Sequence, residues 1–146
     1  MRLKELRSEL SGLRGFEEPN IKLEQYPTSP ELASQVLFTM QDSFEDVQAR
    51  RVIDLGCGCG VLTRAAALLE CDFCLGVDVC SKALEASREN LDDLKNVDLL
   101  QCDVRLLERQ FNRRRLFDTA VLNPPFGTKN NQGIDVIFVQ MALYVC

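Results

Sequence analysis

Four short apolar runs, at 52–55, 73–78, 97–101 and 116–122, alternate with stretches of helical periodicity at 61–69, 81–94, 104–111 and 135–144. This alternation is the strongest constraint on the fold. Strands joined through helices pair in parallel, with right-handed crossovers. The carboxyl ends of such strands share one edge, and open α/β sheets bind their ligands there. The residues at those ends are therefore the ones to read for function.

Strand one runs into Asp54-Leu55-Gly56-Cys57-Gly58-Cys59-Gly60. Glycine at alternate positions lets the backbone turn tightly and approach a ligand closely. The spacing is not the dinucleotide G-x-G-x-x-G, because the third glycine comes one residue early. The loop N–H groups and the start of the next helix favour a negatively charged group. Strand two ends at Asp78, whose carboxylate suits the two hydroxyls of a ribose. Strand three is followed by Cys102-Asp103. Strand four leads into Asn123-Pro124-Pro125-Phe126 and then Gly127-Thr128-Lys129. Two prolines cannot continue a ladder, so this end is rigid. The Asn123 amide oxygen and the Pro124 carbonyl can each accept one N–H of an exocyclic amine. The Phe126 ring can stack on the base that carries it.

Ahead of the sheet, Leu3, Leu6, Leu10 and Leu13 stand at helical spacing, which predicts an amphipathic helix over 2–13. Residues 15–20 are a break. Pro27 and Pro30 bias 25–30 toward an extended path. Ser29 then caps a helix starting at Pro30, with Leu32, Val36, Leu37 and Met40 directed inward. Ser81 is the expected N-cap of the 81–94 helix.

The chain has 146 residues, enough for one domain: N-terminal helices and a cofactor lid over 1–50, a partial Rossmann-like core over 51–146. Its net charge is -5 with no histidine, which argues against strong stand-alone binding to a phosphate backbone. Seven scattered cysteines suit free thiols in a reducing compartment. Cys71-x-x-Cys74 has metal-ligand spacing, but a zinc ribbon needs a second such pair, so no metal is expected. Neither a signal peptide nor a membrane span is expected. Arg113-Arg114-Arg115 reads either as a solvated turn or as a phosphate contact. Lys129 and Asn130 are better placed for RNA.

The order of these motifs resembles the class I S-adenosylmethionine (SAM) methyltransferases that act on exocyclic nitrogens. Leu23-Glu24-Gln25-Tyr26-Pro27-Thr28, the glycine loop with Val61-Leu62, and Asn-Pro-Pro-Phe-Gly-Thr-Lys-Asn-Asn together resemble the eukaryotic methyltransferase-like-5 family, from about Leu3 to the last residue. The resemblance implies SAM-dependent formation of N6-methyladenosine in 18S ribosomal RNA, with Asn123, Pro124, Pro125 and Phe126 catalytic. It places Gln25 and Thr28 at the methionine end of SAM, although the residues alone also fit a polar loop. Asp54, Gly56, Cys59 and Val61 would serve the cofactor from the glycine loop. Asp78 would take the ribose, and Asp103 with the Val104 N–H the adenine. The family sheet has seven strands. This chain would supply order 3-2-1-4 and lack about three more, as a truncated form would. The resemblance further implies a small zinc-binding activator subunit pairing with strand three, and residence in nucleus and cytoplasm. Two rivals stay open: a glutamine-N5 methyltransferase acting on protein, and a non-catalytic partner-binding chain.

Overall fold

The computed structural model describes residues 1–111, 115–125 and 132–146. Phe126, Lys129, Asn130, Arg113 and Arg114, all singled out above, lie outside the described residues. Four parallel strands, β1 (Arg51–Leu55), β2 (Phe73–Asp78), β3 (Val97–Gln101) and β4 (Thr119–Leu122), form a sheet in the order β3-β2-β1-β4. The helices are α1 (Leu3–Ser11), α2 (Pro30–Phe44), α3 (Val61–Leu68), α4 (Ser81–Leu91) and α5 (Ile134–Val145). The register aligns Leu55 with Val77 and with Leu122, and Asp78 with Gln101. Gly56, Asp78, Cys102 and Asn123 are thereby delivered to one edge.

Residues 52–55 of β1 are all fully buried, as a strand covered on both faces must be. Alternate side chains feed two cores. Val52 points to one face with Leu6, Leu10, Leu37 and Ala65, beneath α1, α2 and α3. Ile53 and Leu55 point to the other with Val77, Leu107 and Phe138, beneath α5. No helix among the described residues is long and apolar enough to cross a membrane.

Several boundaries differ from the sequence expectation, each for a local reason. The strand expected over 116–122 is reduced to Thr119–Leu122, because Arg115 and Phe117 donate their N–H groups to the Tyr144 and Val145 carbonyls of α5 instead. The N-cap of α4 is Cys80 rather than Ser81, since the Cys80 carbonyl already accepts from Leu84. Residues 104–109 wind as a 3-10 helix (Val104–Arg109), and a second short 3-10 turn, Ile21–Leu23, falls in a stretch with no helical periodicity. Ser29 caps α2 as expected, its Oγ accepting from Leu32 N at 3.1 Å. The buried face of α2 is Ala33, Ser34 and Leu37, and Leu32 and Val36 stay exposed. The small side chains let α2 lie close to α1 and α3, which turns its bulkier neighbours outward.

Candidate active site

The strand ends enclose a cavity of about 240 Å3. Its floor is the glycine loop. Gly56 and Cys57 both donate N–H bonds to the Val77 carbonyl, at 2.8 and 2.9 Å, which bends the loop over β2. Gly56 and Gly60 have φ of 76° and 83°, a region L side chains rarely adopt. A Cβ at Gly60 would stand 2.8 Å from Ser87 Oγ, and one at Gly56 would stand 2.9 Å from the Phe138 ring. The loop carbonyls are held from behind by α4: Ser87 Oγ donates to Gly58 O and Asn90 Nδ2 to Cys59 O, each at 2.8 Å. Gly56, Cys59 and Val61 all line the cavity. Burial pushes the Cys59 thiol up to about 11, so it stays protonated at neutral pH and is no nucleophile.

Asp54 is placed differently. Its side chain is fully buried beneath the loop and is not among the cavity's lining residues. Thr63 Oγ1 donates to Asp54 Oδ2 at 2.7 Å, and Asp54 Oδ1 is buried with no protein partner. Burial raises this carboxyl to about 7, with the nearby Asp78 charge adding to the effect and the Thr63 bond opposing it. Asp54 thus positions α3 under the loop and does not form the cavity wall.

Asp78 does form the wall. Gly58 N donates to its Oδ2 at 2.8 Å and Cys80 N to its Oδ1 at 2.9 Å. Burial raises its pKa, and the backbone donors work in the opposite direction. Asp103 lines the cavity beside Val104. Its carboxylate accepts from Arg105 N at 2.9 Å and from the Arg105 guanidinium, which hold it below the usual carboxylate range. It remains an ionised acceptor at the far side of the cavity from Asn123.

The N-terminal segment closes the top. Gln25 and Thr28 both line the cavity. The Gln25 Oε1 accepts from Asn20 N at 2.9 Å, which leaves its amide N–H groups as donors. Asn123 Nδ2 donates to Thr28 Oγ1 at 3.0 Å across 95 positions of sequence. The donor end of the Asn123 amide is thereby engaged, and its oxygen is the end presented as an acceptor. Asn123 and Pro125 line the cavity, whereas Pro124 is half-buried and lies outside the lining set. Away from the site, Cys71 and Cys74 are both buried, and Asn96 Nδ2 donates to the Cys71 carbonyl at 2.9 Å.

Phe16 and Phe138 also line the cavity, and neither they nor the loop supports Ser87 and Asn90 are marked by a motif. Phe16 falls in a glycine-flanked break and Phe138 in an apolar helix, so only the assembled fold brings them to the site.

As a donor set the cavity matches a nucleoside carrying an amino acid. Two carboxylates face one lobe, amide and hydroxyl groups face another, and glycine backbone lies between. The residues therefore fit SAM. A family model described as "Methyltransferase small domain" matches residues 29–143. The rRNA N(6)-adenosine-methyltransferase METTL5 of Danio rerio is 50% identical over 145 residues, covering 98% of this chain and 69% of that protein. The crystal structure of PH1948 from Pyrococcus horikoshii is similar with a TM-score of 0.87 at 36% identity, over 99% of this chain and 69% of that one. RsmC, a 16S rRNA N2 methyltransferase of T. thermophilus solved in complex with AdoMet and guanosine, is similar with a TM-score of 0.63 at 28% identity, over 75% of this chain and 30% of that one. The chain spans about two-thirds of the length of the first two relatives.

Proposed function

This chain belongs to the methyltransferase small-domain family and, within it, to the rRNA N6-adenosine methyltransferases; from that premise we propose that it methylates adenine N6 in 18S ribosomal RNA, with SAM as donor. The observation that carries this reading is the Asn123–Thr28 hydrogen bond, which fixes the amide so that its oxygen is the acceptor at the cavity rim. When bound, SAM supplies a methyl group already activated as a sulfonium.

The chain's own task is to prepare the amine. The lone pair of an adenine N6 is delocalised into the ring and must be drawn out. The Asn123 oxygen and the Pro124 carbonyl accept its two N–H bonds, which favours a tetrahedral nitrogen with its lone pair directed at the methyl carbon. The contribution is orientation and electrostatics. Phe126 takes the face of the base in this reading. The adenine must leave its stack to enter, so a looped or flipped nucleotide is the expected substrate.

The reading extends to a partner. A small zinc-binding activator subunit would pair with β3, which stands at the outer end of the order β3-β2-β1-β4. Edge pairing uses backbone groups, so the β3 sequence says little about its strength. Residence in nucleus and cytoplasm belongs to the same reading.

The test is product identity. The chain, alone and with the activator, is incubated with methyl-labelled SAM and 18S ribosomal RNA plus ribosomal proteins. Label recovered as N6-methyladenosine after nucleoside digestion is the expected result. Label in a glutamine amide would replace this reading with protein methylation. No label in either pool under both conditions would reduce the chain to a binding module.

A further inference from the structure

The cofactor cavity has a wall that no motif supplies. Residues 14–18 run from the end of α1 across the glycine loop, and three independent sets of contacts hold them there. The buried Asn90 side chain accepts from Arg14 N at 2.9 Å and donates to Arg14 O at 2.8 Å, while its Nδ2 also donates to the glycine-loop carbonyl Cys59 O at 2.8 Å. One side chain therefore clamps this segment and the loop together. Ion pairs add to it: Arg14 to Glu17 and Glu89, and Lys82 to Glu18 at 3.2 Å. Third, the Phe16 ring stands on Gly58, where an added Cβ would meet Phe16 Cζ at 3.0 Å.

The last contact reassigns a glycine. The missing side chain at Gly58 makes room for Phe16, while the Gly58 N–H is turned to Asp78 Oδ2. Phe16 lines the same cavity as Asp78 and sits on the residue that donates to it.

We propose that Phe16 is a cofactor-contacting residue that covers bound SAM beside its ribose acceptor Asp78, and that Asn90 is the positioning residue that sets Phe16 over the loop. This rests on the reading of the cavity as a SAM site. The ring excludes water from the ribose edge and strengthens the hydrogen bonds beneath it. Phe16 is half-buried and outside both hydrophobic cores, so its removal is expected to leave the fold intact.

Calorimetric SAM titrations of the full chain, wild type against Phe16→Ala, Asn90→Asp and the double variant, test both roles, with thermal melting of the free proteins alongside. Phe16→Ala is expected to weaken SAM binding about tenfold, the effect of losing one aromatic contact. Its melting temperature in the absence of SAM stays at the wild-type value, and KM for SAM rises with kcat held. Asn90→Asp keeps the acceptor for Arg14 N and loses both donated bonds. It is expected to give a similar loss, and the two losses are expected not to add. Wild-type affinity in Phe16→Ala overturns the contact. Additive losses in the double variant overturn the positioning role of Asn90. Failure of the wild-type chain to bind SAM overturns the cofactor reading itself and the proposal with it.

Discussion

Asp54 marks the point where the sequence and the molecule part at the scale of one residue. Its place ahead of the glycines suggests a cofactor ligand, but a strand alternates its side chains, and this one is turned down onto Thr63. Motif position does not say which way a side chain faces. The consequence is a pH effect. A carboxyl raised from 3.8 to about 7 in the folded state binds a proton that the unfolded chain has released. Folding stability therefore falls as pH rises from about 4 to about 7, then levels off. Asp54→Asn should flatten that segment of the curve, read from urea midpoints across the range. Asp118 acts oppositely and elsewhere: Arg51 holds it down at about 2, so its contribution is present above about 4 and is lost as pH falls toward 2.

At the scale of elements, the glycine loop is shaped by α4 as much as by its own glycines. Ser87 and Asn90 take the carbonyls of Gly58 and Cys59, and Gly60 can pass beneath Ser87 only without a side chain. Gly60→Ala combines a φ of 83° with a Cβ 2.8 Å from Ser87 Oγ. A loss of about 1–3 kcal/mol is expected, measured as a lower denaturant midpoint at unchanged slope. The strands and most helices were legible because apolar periodicity and proline or glycine punctuation act locally. What was not legible depends on partners. The start of β4 is lost because α5 takes its N–H groups, and the α2 face rotates because small residues make its contacts. The Phe16 wall is assembled by Asn90, 76 positions from Arg14.

For the whole molecule, the alternation of runs was sufficient for a parallel sheet, and the resemblance supplied its order, which the structure reproduces as β3-β2-β1-β4. Charge belongs to this scale as well. With a net charge of -5, the chain has little long-range attraction for a polyanion. Its binding to an 18S ribosomal RNA fragment, the proposed substrate, should be weak alone and tighter with the proposed activator subunit. The logarithmic salt slope for the chain alone should correspond to only about two phosphate contacts, measured by fluorescence anisotropy between about 50 and 200 mM salt.

The strand ends build two devices with different tasks, a SAM site around Asp78 and an amine acceptor at Asn123. The most direct measurement is single-turnover methyl transfer to 18S ribosomal RNA by Asn123→Ala at saturating SAM, with SAM affinity measured on the same preparation. The rate is expected to fall about 100-fold or more, the loss expected when a preorganised hydrogen-bond partner of the transition state is removed, while SAM affinity changes far less, since the cofactor side loses only the Thr28 bond to Asn123. A wild-type rate in that variant would contradict the role of Asn123 as amine acceptor.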